Sequence, residues 1–362
     1  MQVRTERCAV AQQAKFVEDG TEWFGVGGGS AAVVDRAPSH ATAESLRVGG
    51  GVRRRLSSIA VAVDFSAPSA GAFEWAVALA GPSGAQVVAI HAIEPTPLGV
   101  GREIRAMLVR AGEGRLEAFV ARAASRGVEV ACVCRTGRAA QVVCEEAARR
   151  GVDLLVTGDR GLSAIRRAMI GSVADRILRL APMPVLVARA GRGPGDALVA
   201  VAAVDFSDAS REAIDALRCF ASSAGMSLRL HLVHAVMAPP VVSEPDIPAV
   251  IRPHWLAVET EAARRLDALR DGLERSGLRV TSAIERGDAS IAVTDAARSL
   301  HADIVVAGRN DSTGVGRFLL GSTAERILHG VPCAVLAARR PPVRAAARTR
   351  KDSRGARGLA TP

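Results

Sequence analysis

Val61-Ala62-Val63-Asp64-Phe65-Ser66 recurs as Ala202-Ala203-Val204-Asp205-Phe206-Ser207, 141 residues further along the chain. Working outward from this pair, the other landmarks of the first copy return in the same order. An apolar run ending at His91 returns as one ending at His234, and Gly137-Arg-Ala-Ala returns as Gly287-Asp-Ala-Ser. Val152-Asp-Leu-Leu-Val-Thr-Gly158 returns as Ala302-Asp-Ile-Val-Val-Ala-Gly308. Gly171-Ser172, an Arg-Ile-Leu and a Pro-Val-Leu-Val run return as Gly321-Ser322, Arg-Ile-Leu and Pro332-Cys-Ala-Val-Leu. The offset grows from 141 to 150, so the second copy holds about nine extra residues, which fall around Ala238-Pro-Pro-Val-Val-Ser-Glu-Pro. That composition reads as a loop. Two copies of this length, each with its own core pattern, are domains rather than solenoid repeats.

Each copy alternates short apolar runs with stretches of helical period. In the first copy, strands are expected at 59–63, 87–90, 128–133, 153–157 and 185–187. Helices are expected after Ser66 and over 103–126, 138–149 and 172–180. Continuous apolar runs suit strands covered on both faces, and strand–helix alternation implies parallel sheets with right-handed crossovers. Ser66 offers an N-cap oxygen, and Pro68 tolerates a first-turn position. The expected fold class is therefore α/β, with two tandem doubly wound domains over 56–190 and 197–338, each with a five-stranded parallel sheet. Residues 191–196 read as a linker. The extension 1–55 and the tail 339–362 lack a sustained period and read as disordered.

Charge and cysteine content narrow the function classes. The net charge is +10, but residues 339–362 hold seven Arg and one Lys against one Asp. Residues 1–55 hold eight basic and six acidic residues, which leaves about +1 for everything between. The excess lies in the flanks, so a folded DNA-reading face is not indicated. The tail could make weak, nonspecific nucleic-acid contact, although it has no aromatic residue to stack on bases. A solvated tail that aids solubility is the competing reading. Of the six cysteines, Cys132 and Cys134 would share a strand face, yet no second pair completes a zinc spacing. Buried free thiols of a reducing compartment are expected. No signal-peptide pattern and no apolar run of ~20 residues occurs, which points to a cytoplasmic chain without a membrane span.

Open parallel sheets bind ligands beyond the carboxyl ends of their strands, where the strand order reverses. After the first strand stands Asp64, able to accept hydrogen bonds from a ligand or to cap the next helix beside Ser66. After the fourth comes Gly158-Asp-Arg-Gly161, then nine residues, then Gly171-Ser172 opening a helix. Glycines let backbone amides approach an anion, and a helix start adds amides and positive potential. Either piece alone is compatible with an ordinary turn and an N-cap. No Gly-x4-Gly-Lys-(Ser/Thr) string occurs, Gly25-Val-Gly-Gly-Gly follows no strand, and no nucleophile–base pair emerges. His91 and His234 sit at matching strand ends, where a local structural role is expected.

The Gly-x2-Gly-x9-Gly-Ser spacing, with Val63-Asp-x-Ser66 at the head of the unit, resembles the universal stress protein family over nearly all of both units. The resemblance implies five parallel strands per domain, pairing through the last strand, and ATP binding, with or without Mg2+. It implies that Asp64 and the backbone of Ala92 contact adenine and ribose. Gly158, Arg160, Gly161, Gly171, Ser172 and Val173 would then hold the phosphates. In the second unit Asp311 stands where the second glycine should be, while Asp205, Gly321 and Ser322 are retained. Like charges at ~4 Å repel by a few kcal/mol at an intermediate dielectric, so full ATP binding is not expected there. The expected function is an adenine-nucleotide-binding regulatory or stress-response protein, with slow hydrolysis or transfer at the first site as the alternative. Val185-Leu-Val187 and Ala334-Val-Leu336 are expected to pair as an intramolecular pseudo-dimer, because unpaired apolar edges invite aggregation.

Overall fold

Successive residues of a strand face opposite sides of the sheet, and the apolar runs of this chain fill both sides. The computed structural model describes residues 56–94, 101–124, 126–161, 170–189, 193–237, 252–309 and 321–338. In the first unit the order is β1 (Ser58–Ala62), α1 (Ala67–Ser83), β2 (Gln86–Ile93), α2 (Arg102–Ala124), β3 (Val130–Thr136), α3 (Ala139–Arg150), β4 (Leu154–Gly158), α4 (Ser172–Leu180) and β5 (Val185–Ala188). The second unit repeats it as β6 (Ala197–Ala203), α5 (Asp208–Ser223), β7 (Ser227–Val236), α6 (Arg252–Glu274), β8 (Arg279–Arg286), α7 (Ala289–Ser299), β9 (Ile304–Gly308), α8 (Ser322–Gly330) and β10 (Ala334–Ala338).

The ten strands form one sheet in the order β3-β2-β1-β4-β5-β10-β9-β6-β7-β8. Each half is parallel, and the halves meet at an antiparallel seam, where Val335, Leu336 and Ala337 stand opposite Val187, Leu186 and Val185. The expected five-stranded sheets are thus joined edge to edge, through the strands expected to pair. Strand ends depart from the expected ones where pairing outruns hydrophobicity. β2 continues to Ile93 because its ladder with β3 runs from Val87↔Val130 to Ile93↔Thr136.

Helices α1, α2, α5 and α6 cover one face, over Ile59, Val61, Leu154, Val156, Leu186 and their second-unit counterparts. Helices α3, α4, α7 and α8 cover the other, over Ala60, Leu155, Val185, Val187, Val305 and Val335. Both cores run unbroken across the seam. Ser66 caps α1 by accepting from the Ser69 amide at 3.3 Å, with proline in the first turn, and Gly84 closes it in the left-handed conformation.

The extension 1–55, the tail 339–362 and the Ala238–Pro245 insertion lie outside the described residues. Among the described residues no helix is long and apolar enough to cross a membrane. Cys132, Cys134, Cys144, Cys219 and Cys333 are free thiols, but only Cys134 and Cys144 are fully buried, which corrects the expectation that all would be. Cys132 on β3, Cys219 on α5 and Cys333 in the bend before β10 are partly covered. Burial pushes the Cys144 thiol up to about 12 and the Cys333 thiol to about 11, so neither is a thiolate near neutrality.

Candidate functional site

The strand order reverses between β1 and β4: β1 is followed outward by β2 and β3, and β4 by β5. A cavity of about 510 Å³ opens at the carboxyl ends of these two strands. Its wall contains all eight residues singled out from the sequence, namely Asp64, Ala92, Gly158, Arg160, Gly161, Gly171, Ser172 and Val173.

After β1 the chain turns sharply. Phe65 adopts φ 66°, as Phe206 adopts φ 60° in the second unit. A non-glycine residue held there stores about 1–3 kcal/mol, so its surroundings must over-determine it. His91 does so: Nδ1 donates to the Val63 carbonyl at 2.7 Å, and its ring packs 4.6 Å from that of Phe65. The Arg115 guanidinium lies 4.0 Å from the same ring. His234, Val204, Phe206 and Arg265 repeat the arrangement in the second unit. The paired histidines hold the turn, as expected.

That turn sets the Asp64 carboxylate. Its Oδ1 accepts from the Ser66 amide at 3.0 Å and the Ser66 hydroxyl at 2.5 Å, so it holds the residue that caps α1 rather than capping the helix itself. Its Oδ2 lies beside Gly161, where an added Cβ would stand only 2.8 Å away, and both residues line the cavity. Asp64 therefore braces the helix start with one oxygen and presents the other to the cavity.

The three motif glycines are required for different reasons. Gly158 ends β4, and a Cβ there would lie 2.7 Å from the Pro68 backbone, so this glycine lets α1 approach the sheet. Gly308 does the same against Ala209 and Ser210, at 2.6 Å. The first glycine thus serves packing in both units and says nothing about a ligand. Gly171 precedes α4, and a Cβ there would lie 3.2 Å from the Arg160 backbone; its amide donates to the Asp159 carbonyl at 2.8 Å, so that amide is spent. Helix α4 has no side-chain cap, and its first internal bond runs from the Asp175 amide to the Gly171 carbonyl at 3.0 Å. Among the described residues the amides of Ser172, Val173 and Ala174 have no acceptor, as first-turn donors lack one within their own helix.

Arg160 lines the cavity with its Nε 3.1 Å from Asp159 Oδ2. Ile90, Ala139 and Val143 give the cavity an apolar floor, and Thr157 lines it from β4. The sequence reading missed these residues; the repeated Gly137-Arg-Ala-Ala landmark marks where α3 begins and was the available signal. A helix start uncapped and electropositive, one guanidinium, one carboxylate and an apolar floor can accommodate a ligand with an anionic end and a flat apolar end. In the second unit Asp205 accepts from Ser207 as Asp64 does from Ser66, and Gly321 again precedes an uncapped helix. Asp311 lies outside the described residues.

The sequence profile of the universal stress protein family matches residues 56–189 and again 199–339. The chain is 32% identical over 147 residues to the universal stress protein YxiE of Bacillus subtilis, covering 37% of this chain and 99% of that one. It is 33% identical over 139 residues to a universal stress protein of Thermus aquaticus, with the same shares. Among solved structures, a universal stress protein of Archaeoglobus fulgidus superposes with a TM-score of 0.58 at 18% identity, over 79% of this chain and 97% of that one. A functionally unknown protein of Pseudomonas aeruginosa gives 0.55 at 21%, over 78% and 92%. These structures share the two-unit fold. The profile match covers both units, and the chain belongs to the universal stress protein family.

Proposed function

We propose that the chain is an adenine-nucleotide-binding regulatory protein, with ATP held at the first unit and a degenerate site in the second. The observation that carries this reading is Gly161. Asp64 Oδ2 would lie 2.8 Å from a Cβ there, so a side chain at this position would have to displace the Asp64 carboxylate, and the second unit has Asp311 instead. In this reading Asp64 and the Ala92 backbone take the ribose and adenine, over the floor of Ile90 and Val143. Arg160, the backbone at Gly161 and the amides of Ser172 and Val173 take the phosphates. Gly158 and Gly171 act by the close packing and the turn they allow. Positive helix potential and a guanidinium offset the phosphate charge in a site partly withdrawn from water.

The nucleotide released on denaturing freshly purified protein identifies the ligand, and an adenine nucleotide is expected. Steady-state ATP turnover separates regulation from catalysis. The regulatory reading expects no turnover that Gly161→Asp abolishes. Sustained turnover lost in that variant would establish an enzyme.

A further inference from the structure

The two ends of α4 belong to different parts of the molecule. Its first turn faces the cavity, whereas the carbonyl of Leu178 in its last turn and those of Ala181 and Met183 just beyond it are held from across the seam. Arg309, the residue after β9, is 4% exposed, and its guanidinium donates to the carbonyls of Leu178, Ala181 at 3.0 Å and Met183 at 3.1 Å. Its own amide donates to Ala338 of β10 at 2.6 Å, so the side chain reaches out from the seam itself. A cation is the charge that a helix C-terminus favours, and the planar fork of arginine can satisfy several carbonyls at once.

The repeat offset of 150 places Asp159 at the position equivalent to Arg309. A carboxylate cannot cap carbonyls, and the corresponding end of α8 is held instead by Arg189, just after β5. Arg189 donates to the Leu328 carbonyl at 2.7 Å and to the Cys333 carbonyl at 3.0 Å. Its remaining terminal nitrogen lies 3.2 Å from Asp159 Oδ2, the oxygen that also takes Arg160 Nε. Asp159 is 1% exposed. The cavity-lining Arg160 is therefore tied, through Asp159 and Arg189, to the backbone of the second unit. A third link runs from the Ile170 amide, beside Gly171, to His329 Nδ1 at 3.4 Å.

We infer that the second unit is a working part of the first unit's ligand site, with Arg309 as a positioning residue that fixes α4 and hence the amides of Ser172 to Ala174. The inference rests on the nucleotide reading above and deepens it: the affinity of one unit is set partly by a side chain of the other. Helix α4 is only nine residues long, so freeing the Leu178 carbonyl in its last turn, with those of Ala181 and Met183 that follow it, is expected to shift the amides of its first turn. The second unit thereby has a role that requires no ligand of its own.

The test uses the full chain with Arg309→Met, which keeps a flexible apolar stem and removes the side-chain donors, and Arg309→Lys, which keeps the charge without the planar fork. Calorimetric titration with ATP is expected to show dissociation constants raised about fivefold to tenfold for Arg309→Met and by less for Arg309→Lys. Without nucleotide, the amides of residues 175–181 are expected to exchange about tenfold faster in Arg309→Met, while those of β1 and β4 are unchanged. A folded Arg309→Met protein binding ATP within about twofold of the unsubstituted chain would overturn the inference. If Arg309→Met does not fold, Arg309→Lys is held to the same comparison. If the unsubstituted chain binds no ATP, the nucleotide reading fails on its own account. The exchange data then decide the inference: faster α4 exchange sustains the coupling, and unchanged exchange ends it.

Discussion

Gly158 and Gly161 stand three positions apart in one motif and answer to different physics. Gly158→Ala would press a methyl against the Pro68 backbone, and a stability loss of about 1–3 kcal/mol is expected, read as a lower urea midpoint. Gly308→Ala should cost a similar amount against Ala209. Gly161→Asp instead sets a second carboxylate against Asp64, and its expected effect falls on ligand binding far more than on folding. Ser66→Ala removes both the α1 cap and a donor to Asp64, and a loss of about 1 kcal/mol is expected by the same denaturant titration. The sequence already disclosed eight of the residues that gather at the site, because strand ends and glycine spacing are local signals, but not the apolar floor of Ile90, Ala139 and Val143. It could not disclose what each glycine is for. That depends on which atom would meet the missing Cβ, and Pro68 and Asp64 lie about ninety residues from their glycines.

Element ends show the same division. Helix α4 was legible at both boundaries, since Gly171-Ser172 and the following prolines punctuate it. β2 and β3 were misjudged by two or three residues, because the ladder between them extends beyond the apolar run that betrayed it. β7 carries a consequence that periodicity does not signal. His231 lies on this strand with Nδ1 2.8 Å from Thr281 Oγ1, and burial pushes its pKa down from 6.5 to about 4. The unfolded chain takes up this proton first, so the stability it concerns is intact above pH 6.5 and declines as the pH falls towards 4. A loss of about 2 kcal/mol over that window is expected from this one group. His231→Gln should flatten that part of the profile, measured as urea midpoints between pH 7 and pH 4. An unchanged slope in the variant would assign the acid sensitivity to other groups.

At the scale of the molecule, the antiparallel seam turns two units into one sheet with two shared cores. Leu336, fully buried and opposite Leu186, is central to it. Leu336→Asp buries an unpaired charge there and is expected to cost more than about 3 kcal/mol, and to split a single thermal transition into two. A single transition at the original midpoint would mean that the units do not depend on the seam. The repeat made this pairing legible, because matching apolar edge strands need a partner. The buried arginines that cross the seam were not legible, since Arg309 and Arg189 occupy inequivalent places in the repeat and perform equivalent tasks. The asymmetry between the sites is the central claim, and calorimetric titration of the full chain with ATP tests it most directly. The account predicts about one ATP per chain and no binding after Gly161→Asp, with the fold retained. A stoichiometry near two with comparable affinities, or undiminished binding by Gly161→Asp, would contradict it.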